Sequence, residues 1–161
     1  MTAETELDHE EVLAVLDIYG LHAALEMIDE RDPGGRLARH FAAQCAEDVL
    51  PFFERQRPRN LAPRRAIDVA RDDNATPEKR AKAAEAAGDA PGLSKMNEKL
   101  TTLSATIYSA AWAASYAAKG LAEHASDAAA DANIWGGKFA RREDVWKAQA
   151  IKLRKMLTEG F

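Results

Sequence analysis

The chain has a single cysteine, Cys45, among its 161 residues. An intramolecular disulfide is therefore excluded, and the apolar helical surroundings of Cys45 predict a buried, inert thiol. No apolar run reaches the roughly 20 residues that cross a bilayer. The acidic residues 1–11 also lack the basic and then apolar order of a secretory signal. We therefore expect a cytoplasmic protein with no membrane partner.

Strand signals are also missing, because no stretch alternates apolar and polar residues with branched or aromatic enrichment. The four histidines show no paired metal-ligand spacing, and neither a Gly-rich phosphate loop nor a Gly-x-Ser-x-Gly nucleophile motif occurs. These absences predict no metal site, no cofactor and no catalytic residues. The sequence therefore favours a protein that is not an enzyme.

Alanine is what the chain has in abundance. Thirteen of residues 105–132 are alanine, and apolar side chains between residues 96 and 121 step by four and three positions. This spacing lays one apolar seam along a helix, and alanine lets helix axes approach closely. We expect residues 94–132 to form a long alanine-rich central helix. Alternatively, Gly120 divides it; a glycine inside a helix costs about 1 kcal/mol relative to alanine.

The remaining sequence is divided into helical segments by proline, glycine and capping residues. Asp8 and Thr76 are predicted N-caps, and Pro63 is placed for the first turn of a helix. Pro51 predicts a kink or a new first turn, and Gly88 the end of a helix. The expected fold is all-α, with residues 1–161 as a single helical domain. Seven or eight helices would form a compact bundle around the central helix, and the three tryptophans would fill its wider gaps.

Charge is strongly segregated along the chain. Residues 1–32 hold ten acidic side chains against one arginine, whereas residues 33–65 hold seven arginines against three acids. Ion pairs within the fold would explain this alternation, as would a partner surface of defined sign. The sequence pI near 5.6 and the absence of aromatic residues between the arginines disfavour nucleic acid as a partner.

The first candidate site is a cluster of arginines ahead of Pro63, which we call the arginine elbow. Guanidinium groups bind phosphate and carboxylate through two parallel hydrogen bonds, and a helix N-terminus adds backbone donors. A partner- or anion-binding site is therefore one interpretation, and pairing with the acidic N-terminal helices or exposure to solvent is the other. The cluster comprises Arg55, Arg57, Arg59, Arg64 and Arg65.

The second candidate site is an aromatic stripe formed by Tyr108, Trp112 and Tyr116, four residues apart and off the apolar seam. Such a stripe either packs against a neighbouring helix or lines a groove for a ligand or partner. A second stripe of Glu123, Asp127 and Asp131 follows, and it is predicted to be a solvated helix face.

Three segments resemble a known family. Residues 63–71, PRRAIDVAR, resemble the P-R-x-A-I-x-x-A-R helix of the immunity protein family of bacterial toxin loci. The Ala-Trp-Ala-Ala run of residues 109–118 is similar to segments of that family and of the related alanine- and tryptophan-rich helical proteins of tailed phages. Residues 146–157 look like their closing W-x-x-Q-x-x-x-L helix, and residues 21–53 fit their leading helices. The resemblance implies a helical bundle that binds and neutralises a protein partner, and it supplies no catalytic residues.

The leading hypothesis is therefore a non-enzymatic protein-binding module, similar to an immunity protein or a phage-encoded inhibitor, that occludes a toxin or a host factor. The alternative is a protein that sequesters a small anionic ligand, such as phosphate or a nucleotide, in the elbow of residues 55–65.

Overall fold

A computed structural model describes residues 7–92 and 102–161. These residues form eight helices and no strand, which confirms the predicted all-α class. The helices are α1 His9–Tyr19, α2 Leu21–Arg31, α3 Arg36–Gln56, α4 Ala62–Arg71, α5 Pro77–Asp89, α6 Thr102–Lys119, α7 Ala122–Trp135 and α8 Arg142–Glu159. None of the described helices is both long and apolar enough to cross a membrane.

Local sequence explains most of the helix boundaries. The Asp8 side chain caps α1 by accepting a hydrogen bond from the Glu10 amide, and Thr76 caps α5 in the same way. The sequence predicts a kink or a new first turn at Pro51 and a helix end at Gly88. Helix α3 continues through Pro51 without a new start, and α5 runs through Gly88 to Asp89. Local propensity disfavours a proline or a glycine inside a helix, so it does not account for these two continuations.

The alanine-rich stretch forms two helices rather than one long central helix. Gly120 ends α6 with a positive φ of 69°, and α7 begins two residues later. A side chain could not fit there, since a Cβ on Gly120 would lie 2.6 Å from the Cα of Gly34. The alternative in which Gly120 divides the stretch is therefore the observed one. The predicted start of the helix at residues 94–101 lies outside the described residues.

Alanine packing forms the centre of the molecule. Helix α6 packs against α3, α4, α5 and α7, and six of its nine buried residues are alanine. Larger buried side chains come mainly from α2 and α3, where Leu25, Phe41 and Phe53 have no exposed surface. Trp112 and Trp146 pack against this core, as expected of gap-filling residues, whereas Trp135 is 48% exposed and does not.

A buried arginine joins α3 to the end of α4. Arg39, only 5% exposed, donates hydrogen bonds to the carbonyl oxygens of Gly34 and Ala70 at 3.1 and 2.8 Å, and to Asp73 at 2.9 Å. The Nε of Arg36 donates to the other Asp73 oxygen at 2.8 Å. Because buried charge is stable only when it is paired and hydrogen-bonded, this cluster fixes the α3 and α4 ends relative to each other.

Some of the segregated charges have partners within the fold. Asp29 of the acidic N-terminal region accepts the Ala122 and Glu123 amides at the start of α7, both at 3.1 Å. Asp17 contacts Arg154, a residue of the basic C-terminal region. Acidic and basic segments thus meet across the bundle, but the arginine elbow is not part of these contacts.

Candidate functional site

The arginine elbow is built on the connection between α3 and α4. Helix α3 ends at Gln56, and the Asn60 amide donates to the Arg57 carbonyl to form a turn. The Asn60 side chain then accepts the Ala62 amide at 3.1 Å and donates to the Ala90 carbonyl at 3.2 Å. Since Asn60 connects this turn to both the start of α4 and the end of α5, the elbow has a defined backbone.

The five arginines divide into two groups, and Arg64 belongs to the structural one. Its guanidinium lies 3.3 Å from Glu47 and 2.8 Å from Glu54, both on α3. Arg71 also contacts Glu47, and its hydrogen bond is the main reason why the pKa of Glu47 lies below its ordinary value. These contacts hold α4 against α3, so Arg64 is not free for a ligand.

The other four arginines are exposed. The Arg55 guanidinium lies 6.0 Å from the Phe52 ring, and Arg57 donates a long 3.4 Å hydrogen bond to a neighbouring carbonyl. The side chains of Arg59 and Arg65 make no ion pair or hydrogen bond with any described residue. None of the four contacts the acidic N-terminal helices in the described part of the chain.

Three of these side chains, Arg57, Arg59 and Arg65, surround an open cleft of about 650 Å³. Its lining consists of residues 56–62 together with Arg65, and it includes Leu61, an exposed apolar side chain. No carboxylate, histidine, cysteine or hydroxyl side chain occurs among these lining residues. The cleft can therefore bind an anion, but its own lining offers neither a general base nor a nucleophile.

The aromatic stripe lies along the hairpin of α6 and α7. Its rings stack in sequence: Tyr108 and Trp112 are 6.0 Å apart and nearly parallel, and Trp112 and Tyr116 are 5.5 Å apart. His124 of α7 continues the series, 5.2 Å from Tyr116. We call this surface the aromatic groove. Trp112 and Tyr116 pack against the core, and all three rings of the stripe line an open groove of about 300 Å³.

The opposite wall of the aromatic groove is acidic. Asp127 and Asp131 lie on α7 facing the rings, with Ala128 between them. Asp127 accepts a 3.3 Å hydrogen bond from His22, and Asp131 pairs with Arg142 at 2.5 Å. Burial raises the pKa of Asp131 despite that arginine. The groove thus joins ring faces to carboxylates, the combination that recognises cations.

Sequence reasoning found the two halves of this groove separately. It assigned Asp127 and Asp131 to a solvated helix face, because a metal site there would need ligands from another helix. The missing signal was the turn at Gly120, which reverses the chain and places Asp131 near Tyr108.

Within the described residues, no group of three or more histidine, cysteine or carboxylate side chains is arranged to hold a metal ion.

No protein-family model matches the chain, and no curated protein or solved structure matches it either. The resemblance to immunity proteins therefore stays a prediction from the motifs. The proposals that follow depend on the geometry and charge of the two sites.

Proposed function

We propose that this chain is a non-enzymatic protein-binding module of the cytoplasm, similar to an immunity protein or a phage-encoded inhibitor. It neutralises a toxin or a host factor by covering an acidic surface of that protein. The observation that carries the proposal is the group of three exposed arginines, Arg57, Arg59 and Arg65, which surround a cleft and have no carboxylate partner in the described chain.

Such arginines are suited to a protein interface. Arginine is enriched among the residues that dominate binding energy, and its planar fork forms two parallel hydrogen bonds with a carboxylate. An arginine already paired within its own chain would have to give up that contact on binding. Arg57, Arg59 and Arg65 give up no ion pair with a described residue, and the exposed Leu61 beside them adds apolar contact area.

The rigidity of the elbow supports the same proposal. Asn60 connects the turn to α4 and α5, and Arg64 attaches α4 to two α3 glutamates. A surface whose backbone is already ordered loses less conformational entropy on binding than a mobile loop does. Since charges near the surface attract over about 10 Å at 0.1 M salt, association should also be faster at low ionic strength.

The test is affinity capture from the native host with three forms of the protein. The wild type is compared with Arg57→Glu/Arg59→Glu/Arg65→Glu and with a control, Lys82→Glu/Lys147→Glu/Lys155→Glu, that makes the same charge change at exposed lysines outside the cleft. We expect a stoichiometric protein with the wild type and the control, and its loss with the elbow variant. Equal capture by all three forms, or no partner at low salt, would contradict the proposal.

A second candidate function is sequestration of phosphate or a nucleotide in the same cleft. Its volume of about 650 Å³ is within the usual size range of small-molecule sites, and the start of α4 adjoins it. A ligand at a hundred times its dissociation constant adds about 2.7 kcal/mol of stability. Thermal unfolding with inorganic phosphate and a nucleotide panel therefore tests it. A rise in melting temperature that the elbow variant loses would favour this function over protein binding.

A further inference from the structure

The aromatic groove offers a binding surface of opposite charge to the arginine elbow. Three rings of α6 form one wall, and two aspartates of α7 form the other. The Tyr108 and Trp112 rings are nearly parallel, with an interplanar angle of 7°. Ring faces attract cations through their quadrupole, and a guanidinium, being planar, can also stack on them.

The positive groups already in this region leave part of the groove without a cation. Lys119 lies over the Tyr116 ring at 5.7 Å, so that end of the ring series already has one. Among the described residues, no cation lies over Tyr108 or Trp112. Among the described residues, the Tyr108 and Trp112 end of the ring series therefore leaves room for a cation from another molecule.

The two aspartates differ in how fully they are neutralised. Asp131 faces Arg142, a permanent cation, at 2.5 Å. Asp127 faces His22 at 3.3 Å, and this imidazole compensates the charge only when it is protonated. The Asp127 side chain is also 52% exposed. Because a carboxylate has two oxygens and about four acceptor sites, Asp127 keeps capacity for an incoming donor.

We propose that the aromatic groove binds an arginine side chain presented by a protein partner. The guanidinium stacks on Tyr108 and Trp112 and donates hydrogen bonds to Asp127. Arginine satisfies both walls at once, since its planar group stacks on aromatic faces and its fork matches a carboxylate. A lysine ammonium is a compact, strongly hydrated charge that cannot stack, so it should bind more weakly.

The test uses the whole protein labelled with ¹⁵N and short blocked peptides, which makes it independent of the elbow and its partner. The chain has three tryptophans, so its indole N–H groups give three signals, and a Trp112→Phe variant identifies the relevant one. The probe is acetyl-Gly-Arg-Gly-amide. Its control carries citrulline, which has the same shape as arginine without the charge.

We expect a saturable shift of the Trp112 indole signal with the arginine peptide, at least about tenfold weaker binding of the citrulline peptide, and intermediate binding of a lysine peptide. The exposed Trp135 should not respond. Equal binding of arginine and citrulline peptides, or no shift of the Trp112 signal, would overturn the proposal. Equal binding of lysine and arginine would overturn the assignment to arginine.

A protein variant gives a second, independent measurement. Asp127→Asn should weaken the arginine peptide by about tenfold, because it replaces a charged acceptor by a neutral amide. Glu78→Gln removes one exposed carboxylate of α5 outside the groove and should leave the affinity unchanged. Unchanged binding by Asp127→Asn would refute the role of that carboxylate. Should the variant fail to fold, the citrulline comparison still decides the question with wild-type protein.

Discussion

Replacing Gly120 by alanine tests the close approach that divides the alanine-rich stretch. Gly120 has a φ of 69°, in the left-handed region that side chains disfavour. An added Cβ would lie 2.6 Å from the Cα of Gly34, 3.1 Å from the Arg39 side chain and 3.3 Å from the Gly34 carbonyl carbon. The nearest atom belongs to backbone, so the clash cannot be relieved by rotating a side chain.

The expected loss of unfolding free energy in Gly120→Ala has two parts. The left-handed conformation costs an alanine about 1–2 kcal/mol, of which about 0.4–1 kcal/mol is offset because alanine restricts the unfolded chain. Forcing an extra carbon into a packed interior adds about 1–3 kcal/mol. We therefore expect Gly120→Ala to lower the free energy of unfolding by about 2–4 kcal/mol, a large share of the total stability of a typical domain.

Gly137 is the matched control. Its φ is 74°, but a Cβ there would meet nothing within 4 Å. Gly137→Ala should therefore show the conformational cost alone, about 1 kcal/mol or less. Urea unfolding followed by circular dichroism at 222 nm measures both variants. Equal losses of stability would refute the reasoning, because they would mean that Gly120 and Gly34 are not in contact.

Three further predictions concern single side chains. Asp29→Ala removes the acceptor of two amides at the start of α7 and should cost about 1–2 kcal/mol in urea unfolding. The Arg36 guanidinium is the main cause of the lowered pKa of Asp73. The ionised Asp73 therefore contributes stability above the ordinary aspartate pKa of about 3.9, and this contribution is lost as the pH falls below that value. The melting temperature of Asp73→Asn should therefore fall less steeply between about pH 5 and pH 2 than that of the wild type. Burial raises the pKa of the Cys45 thiol to about 12, so iodoacetamide at pH 8 should leave the native protein unmodified and add one equivalent in denaturant; modification of the native protein would contradict this.

Helix content could be predicted from this sequence because its signals are local. Asp8, Thr76 and Pro63 act within one turn of the chain, and each stands at or in the first turn of a helix, as predicted. Pro51 and Gly88 are local signals too, but α3 and α5 continue through them. Where packing outweighs propensity, a window of sequence does not contain the deciding information.

Gly120 shows the same limit at the centre of the fold. The sequence allows either a tolerated glycine within a helix or a division at that point. The choice depends on Gly34, which is 86 positions away and whose backbone leaves no space for a side chain. Once the stretch is known to divide at Gly120, α6 and α7 are known to fold back on each other. The α7 positions that face Tyr108 and Trp112 can then be predicted. The acidic wall of the aromatic groove could thus be predicted only after this long-range contact was known.

For the arginine elbow, the sequence identifies the residues but does not predict their separate roles. Arg64 and Arg65 are adjacent, so a helix start turns them by about 100° from each other. One reaches Glu47 and Glu54 on α3, and the other projects into the cleft. Their division follows from where α3 lies, which the spacing of arginines does not specify.

Alanine packing also explains why the aromatic groove is at the margin of the bundle. Small side chains bring α6 and α7 together along their shared face, so Tyr108, Trp112 and Tyr116 have no space between the axes and stack along the flank. Packing alone would favour apolar residues opposite those rings, since apolar side chains would cover the rings without a desolvation cost. Aspartate at position 131 bears that cost, as its raised pKa shows. The contact with Arg142 offsets part of the desolvation cost of Asp131, whereas Asp127 has only a 3.3 Å contact with His22. Asp127, whose side chain is 52% exposed, bears little of that cost and keeps acceptor capacity, so the proposed contact with an arginine is assigned to it.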